Sequence, residues 1–410
     1  MGEILFLAHR MPFPPDRGDK IRSHHVLKAL ARLAPVHVAT FADEDADWAG
    51  EAELVQLAAS HCLVARRKPL ALAALEALAT GKPVSLTAFH AAPVANYVRH
   101  VLATRPIEAI YVFSGQMAQY VPEDFRGRVV ADLVDVDSAK FEAYAAAGRA
   151  PRRWMEAREA RLLRCEEARI AARAQVSLLV SEPEAQLFRD RLAEAGKSVR
   201  VMGNGIDARA FAPGACPPDA AMAAAGFPRI VFTGQMDYAP NIAAVERGAR
   251  AILPRVRRAF PEASLHVVGR NPTRAVEALG TLPGVRVWGR VPDVRPYLAA
   301  ADVALVPLRL ARGVQNKVLE AMAMAVPTVV SLGAATGIPA ADGTQFLVRE
   351  DDEAMADAVI DLASDAGLAR TLGRSARAWI EENASWEAAL ANLPAYCGFD
   401  AKAGGMCDVA

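Results

Sequence analysis

Short β-branched runs alternate with longer, alanine-rich amphipathic runs from one end of this chain to the other. In the first half the short runs are EILFLA (3–8), VHVATF (36–41), AIYVF (109–113), RVVADL (128–133) and VSLLV (176–180). In the second half they are RIVFT (229–233), ASLHVV (263–268), VRVW (285–288), DVALV (302–306) and VPTVVS (326–331). Nearly continuous apolar strands separated by helices are what a parallel sheet covered on both faces requires. A sheet with one wet face would alternate apolar and polar residues instead. The pattern predicts an α/β chain of two Rossmann-like, doubly wound domains facing across a cleft, with ligands at the carboxyl ends of the strands.

The break between the halves falls at 204–228, NGIDARAFAPGACPPDAAMAAAGFP, which is rich in Gly, Pro and Ala and lacks a strand pattern. The expected divisions are 1–204, 205–380, a C-terminal helix over 381–397 packing back towards the first domain, and a disordered Gly-rich tail over 398–410. The 410 residues are 53% hydrophobic, enough for two cores. Lys plus Arg and Asp plus Glu number 47 each, so bulk electrostatic capture of nucleic acid is not expected.

The five cysteines form no CxxC pair and none stands near a His at ligand spacing. Neither a disulfide framework nor a zinc site is expected, and a reducing, cytoplasmic setting fits. The start, MGEILFLAHRMPF, lacks the basic segment and long apolar run of a signal peptide. The longest uncharged run, 321–341, is interrupted by Pro327, Gly333, Gly337 and Pro339, and reads as helix end, strand and loop. Residues 149–173 hold eight Arg and four Glu, a net charge of +4. They read either as a solvated helix laced with Glu–Arg pairs or as a peripheral contact with anionic lipid at the inner face of a membrane.

Several motifs follow strands. In PFPPDRGDKIRSHH (12–25), prolines stiffen the loop and Gly18 lets backbone approach a ligand at the opening of a helix. A plain strand-to-helix connection is the other reading. In DLVDVDS (132–138), three Asp at a strand end are costly unless solvated, paired or functional. Asp137 with Ser138 reads as a helix cap, and Asp135 as a residue facing the cleft. In the second half FTGQMDYAPN (232–241), VVGRNP (267–272) and GRVPDV (289–294) each put a Gly at a strand end. Three such turns in one cleft point to a nucleotide. No G-x-G-x-x-G or Walker sequence is present, so neither an ordinary dinucleotide fold nor a P-loop NTPase is expected.

The segment ARGVQNKVLEAMA (311–323) reads as a helix whose start, at Gly313, points backbone N–H groups and the positive dipole end at a ligand. Lys317 can reach an anion there, and Glu320, three residues on, can accept bonds from a diol. An i,i+3 salt bridge is the simpler reading.

VLEAMAMAVPTVVS, FTGQMDYAPN and DVRPYLAAADVALVPL together resemble the family 4 retaining glycosyltransferases of the GT-B fold (GT4). HRMPFPPDRGDKIRSHH, DVDSAKFEAYA and GVQNKVLEAMA are similar to the sugar transferases associated with exosortase (PEP-CTERM) exopolysaccharide loci. The resemblance runs over nearly the whole chain. It implies an acceptor-side first domain, a second domain that holds a nucleoside-diphosphate sugar, retention at the anomeric carbon, and no cofactor or metal. By position it assigns Glu320 to the ribose hydroxyls and Gly18 to the loop that meets donor phosphates and acceptor.

Two departures stand out. Arg312 occupies the place of a Glu eight residues before Glu320, and GQMDYAPN lacks the Arg and Lys that clamp the diphosphate in many relatives. The usual first-domain His is not evident, and Asp135 lies close to its expected place. The expected site is therefore Lys317, Arg312 and Asp135 for catalysis, with Asp19 and Arg22 on the acceptor side. Gly18, Gly234, Arg270, Arg290, Gly313, Val314 and Glu320 are expected around the donor. The partners expected are a nucleotide-sugar and a glycan or lipid-linked acceptor. A non-catalytic sugar-nucleotide-binding partner in a polysaccharide assembly, or another GT-B enzyme such as a sugar-nucleotide epimerase, remains open.

Overall fold

The computed structural model describes residues 2–15, 17–192, 196, 198–309 and 314–399. The chain divides into two units, 1–204 joined by 390–410, and 205–389. The first holds β1 (Glu3–Ala8), β2 (Val36–Ala42), β3 (Ser60–Ala65), β4 (Ile107–Phe113), β5 (Arg128–Val134), β6 (Val176–Leu179) and β7 (Val199–Val201). The second holds β8 (Arg229–Thr233), β9 (Ser264–Val268), β10 (Val285–Gly289), β11 (Val303–Val306), β12 (Thr328–Val330) and β13 (Leu347–Val348). Strand order is β3-β2-β1-β4-β5-β6-β7 in one sheet and β10-β9-β8-β11-β12-β13 in the other. Every pairing described is parallel. Both sheets are thus doubly wound, as the alternating pattern predicts.

Each expected run forms a strand, and three strands come in addition. They are β3, β7 and β13, all at sheet edges. Edge strands are covered less, so their sequences need not be apolar throughout: β3 is SHCLVA and half-buried along its length, while β7 is only VRV. Central strands differ. Every residue of β1 and β2 is buried, and fully burying a side chain such as Phe6 or Phe232 contributes roughly 1.5–3 kcal/mol.

Helix α1 (Gly18–Leu33) turns Arg22, Ser23, Val26, Leu27 and Leu30 inward, at the spacing of one helical face. That face starts with a cation, which forces a buried anion opposite. Arg22 Nε and Nη2 each donate to Asp132 of β5 at 2.9 Å, and the Tyr111 hydroxyl donates to the same carboxylate at 2.8 Å. Arg22 Nη1 donates to the carbonyls of Met202 (2.8 Å) and Gly203 (3.1 Å) and to Asn204 Oδ1 (3.0 Å). Two residues earlier, Lys20 meets Asp47 at 2.5 Å, both wholly buried.

Helices α2 (Leu70–Thr80), α3 (Asp137–Ala147) and α4 (Arg152–Arg173) complete the parts of the first unit used below. The cap expected at Asp137–Ser138 is not made. Both residues lie inside α3, whose N-cap is Val136, and Ser138 donates its N–H (2.8 Å) and hydroxyl (2.5 Å) to Glu167. Nor is α4 laced with ion pairs along its length. Arg152–Glu156 and Arg169–Glu166 pair within it, but Glu159 and Glu167 are buried and accept from neighbouring elements.

In the second unit, α5 (Ala239–Arg247) follows β8 and α6 (Asn316–Ala323) follows β11. The single helix expected over 381–397 is broken. Ser385 is extended and its hydroxyl accepts from Ala388 N–H, starting a short new helix. A second restart, α7 (Leu393–Cys397), has Pro394 in its first turn. Arg128 Nε donates to the Tyr396 carbonyl and ties α7 to β5. Of the tail expected over 398–410, residues 400–410 lie outside the described residues.

Candidate functional site

In the second sheet β8 and β11 are neighbours, yet the chain leaves them in opposite directions, β8 towards β9 and β11 towards β12. At such a switch point the carboxyl ends open a crevice. Three glycines sit at its strand ends, where the sequence placed them. Gly234 and Gly269 each have φ 156°, and Gly289 has φ 70°. Gly234 N–H donates to Val268 O (3.0 Å) and Gly269 N–H to Gly289 O (2.9 Å), so the three turns are stepped together. A Cβ on Gly269 would lie 1.6 Å from the Gly234 carbonyl oxygen, so no larger residue fits without moving main chain.

Lys317 and Asn241 meet at this point. Lys317, in the first turn of α6, donates to Asn241 Oδ1 of α5 at 3.0 Å and to Gln315 Oε1 at 3.3 Å. Its Nζ stands 5.3 Å from the Phe232 ring centroid. Asn241, itself buried, donates to Gln235 O at 2.9 Å. Gly234 makes the approach possible, since a Cβ there would sit 2.9 Å from Asn241 Nδ2 and 3.2 Å from Lys317 Cε.

Burial pushes the Lys317 ammonium down to about 8, against the pull of Glu320. Because its ordinary value is 10.5, the unfolded chain binds more protons between these limits. Burying the cation therefore costs stability at neutral pH, and that cost is relieved as pH rises through the window. Glu320, half-buried one turn on, is pushed up by burial and held back by Lys317. Among the described residues it has no hydrogen-bond partner and no ion pair within 4.0 Å. The i,i+3 salt bridge is thus not formed. A cation held by neutral oxygens beside an unpartnered carboxylate can receive one ligand with an anionic part and a hydroxyl-bearing part.

The other expected donor residues surround this point or stand off it. Arg270 is exposed and its Nη2 donates to Gln235 Oε1 at 3.0 Å. Arg290 is exposed just past Gly289. Val314 precedes α6, 39% exposed, beside Gly337. Arg312 and Gly313 lie outside the described residues. The helix itself opens at Asn316 with Gln315 as N-cap, later than the Gly313 start expected. Asn241 was not singled out in the sequence, although it ends the FTGQMDYAPN motif.

In the first unit β1 and β4 flank the corresponding switch point. Gly18 opens α1, and a Cβ there would meet nothing within 4 Å. Asp19 accepts from Arg10 at 2.6 Å and lies 3.4 Å from His9 Nε2. Burial opposes its charge, but His9 and Arg10 hold its carboxyl well below the usual range. Arg22 is corrected: it is 1% exposed, with its guanidinium committed to Asp132 and the 202–204 main chain, so it does not present itself to an acceptor.

Asp135 is exposed at the end of β5, just after Val134 with φ 69°. Partial desolvation, Glu184 and Asp137 raise its carboxyl. It lines a small, open pocket with Gln116, Asp137 and Glu167. Burial pushes Glu167 up to about 7, against its bonds from Ser138. Sequence reading missed His9, which stacks on Phe113 at 5.7 Å and leaves Nδ1 buried without a partner.

Residues 227–365 match the family model described as "Glycosyl transferases group 1". No curated protein matches the chain. Among solved structures it is similar to Anabaena HepE in complex with UDP-glucose (TM-score 0.60, 15% identity, 97% of this chain and 100% of that one). It is also similar to sucrose-phosphate synthase of Thermosynechococcus elongatus (TM-score 0.60, 17% identity, 96% and 98%). A third is WaaG, a glycosyltransferase involved in lipopolysaccharide biosynthesis (TM-score 0.58, 16% identity, 96% and 100%). These likenesses cover both units, and the fold is GT-B.

Proposed function

We propose that the chain transfers a sugar from a nucleoside-diphosphate sugar to an acceptor hydroxyl, with retention at the anomeric carbon. The observation that carries this reading is Lys317, a half-buried cation held on Asn241 at the switch point, with Glu320 unpartnered one turn away. The UDP-glucose held by HepE and the family match over 227–365 support the donor class. Lys317 takes the diphosphate and Glu320 the ribose hydroxyls. The acceptor oxygen bonds the anomeric carbon on the face from which the diphosphate leaves, and a departing phosphate oxygen takes the acceptor proton. The chain positions the reactants and stabilises the charge that grows on the diphosphate. This needs neither a protein base nor a metal. Gly18 belongs to the loop that meets donor phosphates and acceptor, Asp19 belongs to the acceptor side, and Asp135 orients acceptor hydroxyls. The family 4 and exopolysaccharide assignments rest on the sequence resemblance, which also favours a glycan or lipid-linked acceptor, whereas the cytoplasmic setting rests on the cysteine spacing.

A thermal-shift screen of UDP-, GDP-, ADP- and TDP-sugars identifies the donor, since a ligand that prefers the native state raises the melting temperature. Glu320→Gln is expected to weaken both the free nucleoside diphosphate and the donor roughly tenfold, about 1.4 kcal/mol. Unchanged affinity for both in calorimetry removes the ribose assignment. Donor consumed without any acceptor, with an epimer released, favours the epimerase reading instead.

The pH dependence follows from Lys317. Its charge is present below about 8 and is lost above it. Nucleoside diphosphate affinity is expected to fall about tenfold between roughly pH 7 and 9, one pKa unit above the midpoint being a factor of ten. Lys317→Arg, which stays charged, should flatten the profile. Equal wild-type affinity at both ends contradicts the assignment.

A further inference from the structure

Helix α2 carries an uncovered apolar face. Leu70, Leu72, Leu75 and Leu78 are 72%, 56%, 63% and 68% exposed. The helix is held down by its small residues, Ala73 and Ala77, both wholly buried. This inverts the usual arrangement, in which the large apolar side chains face the core. The one charged residue of α2, Glu76, is engaged by Lys68 at 2.8 Å and His90 at 3.2 Å. Single exposed apolar residues are ordinary, whereas four leucines on one helix make a patch.

The patch continues onto α4. Arg158 donates to the carbonyls of Ala77 (2.8 Å) and Lys82 (3.3 Å), and Glu159 accepts from Val84 and Ser85 N–H at 2.8 and 2.7 Å. These bonds seat α4 against the end of α2. One turn back along α4, Trp154 and Met155 are 71% and 62% exposed. The rim is cationic: Arg149, Arg152, Arg153 and Arg161 are exposed on or just before α4, and Arg67 and Lys82 flank α2. The acids of this part of α4 are buried: Glu159 accepts from Val84 and Ser85, and Glu156 pairs with Arg152 of the rim at 2.7 Å.

We propose that this face docks on an anionic membrane surface. The leucines and Trp154 enter the boundary between headgroups and acyl chains, and the arginines sit on lipid phosphates. Charge decides against a second copy of the chain as the occupant, because two such faces would bring like rims together. The docking stands apart from the proposed activity and is tested without it.

The test is flotation of the full chain with phosphatidylcholine vesicles, with and without phosphatidylglycerol, at low and high salt. Recovery is expected only with the anionic vesicles and should fall as salt screens the rim. Leu75→Glu with Leu78→Glu should cut recovery roughly tenfold or more. Both positions are exposed, so the melting temperature should hold. Trp154 emission should shift to the blue with anionic vesicles, read as the difference between wild type and Trp154→Phe. Equal recovery with both vesicle types, or none with either, overturns the proposal. So does a dimer in lipid-free sedimentation equilibrium that the same two Leu substitutions abolish, which would assign the face to a second copy.

Discussion

Asp132→Ala is expected to destabilise the first unit by about 3–5 kcal/mol, the cost of leaving a buried partner charge unpaired. Arg22 is 1% exposed and cannot shed its proton, so it stays charged in a site built for a pair. Two of its nitrogens lose their acceptor, and the wholly buried Tyr111 hydroxyl loses its own. Only the Met202, Gly203 and Asn204 oxygens remain. A compensated variant, Arg22→Met with Asp132→Leu and Tyr111→Phe, should recover much of the loss, because apolar groups of similar volume need no partner. Denaturant unfolding, followed by probes in each unit because two units need not unfold together, measures both. A loss under about 1 kcal/mol for Asp132→Ala would mean that the network is solvated or dispensable.

That network also shows where sequence reading stops. The three Asp of DLVDVDS were recognisably expensive, yet nothing local separated Asp132, which is buried, from Asp135, which is exposed. The distinction depends on Arg22, 110 residues earlier, and on which face α1 turns inward. Nine of the ten expected strands lie inside their sheets and were legible because parallel strands buried on both faces must be apolar throughout. The tenth, β10, is an edge strand that VRVW still marks by its β-forming residues. The edge strands β3, β7 and β13 were not legible, because edges escape that requirement and the last two are only three and two residues long. The break at Ser385 was also hidden, since the sequence there remains helix-compatible on both sides.

At the candidate site, legibility followed backbone necessity. Gly234 and Gly269 could be placed at strand ends because their φ of 156° and the close approach of Gly269 to the Gly234 carbonyl exclude larger residues, while the left-handed φ of 70° at Gly289 favours glycine. Lys317 and Glu320 were legible as a charged pair on an apolar helix. Their separate environments were not, because Asn241, which holds Lys317, comes from another helix 76 residues away. His9 was lost inside an apolar strand end, where nothing in the local pattern distinguishes it from core.

Lys317→Ala carries the second large expectation, a loss of about ten- to a hundredfold in kcat/KM. This corresponds to about 1.5–3 kcal/mol for one charge-assisted bond. A cation that stabilises the departing diphosphate should lower kcat as well as donor affinity, because its bond strengthens as charge develops. A structural role would leave kinetics nearly intact, and removal of a cation that burial already disfavours should not unfold the chain.

The most direct measurement is calorimetric titration of wild type and Lys317→Ala with one nucleoside-diphosphate sugar. The predicted result is one donor per wild-type chain and affinity weakened roughly tenfold or more in a variant that keeps its fold. Equal affinity in both proteins, or no donor bound by wild type, would contradict the assignment of the second unit's switch point to the nucleotide-sugar.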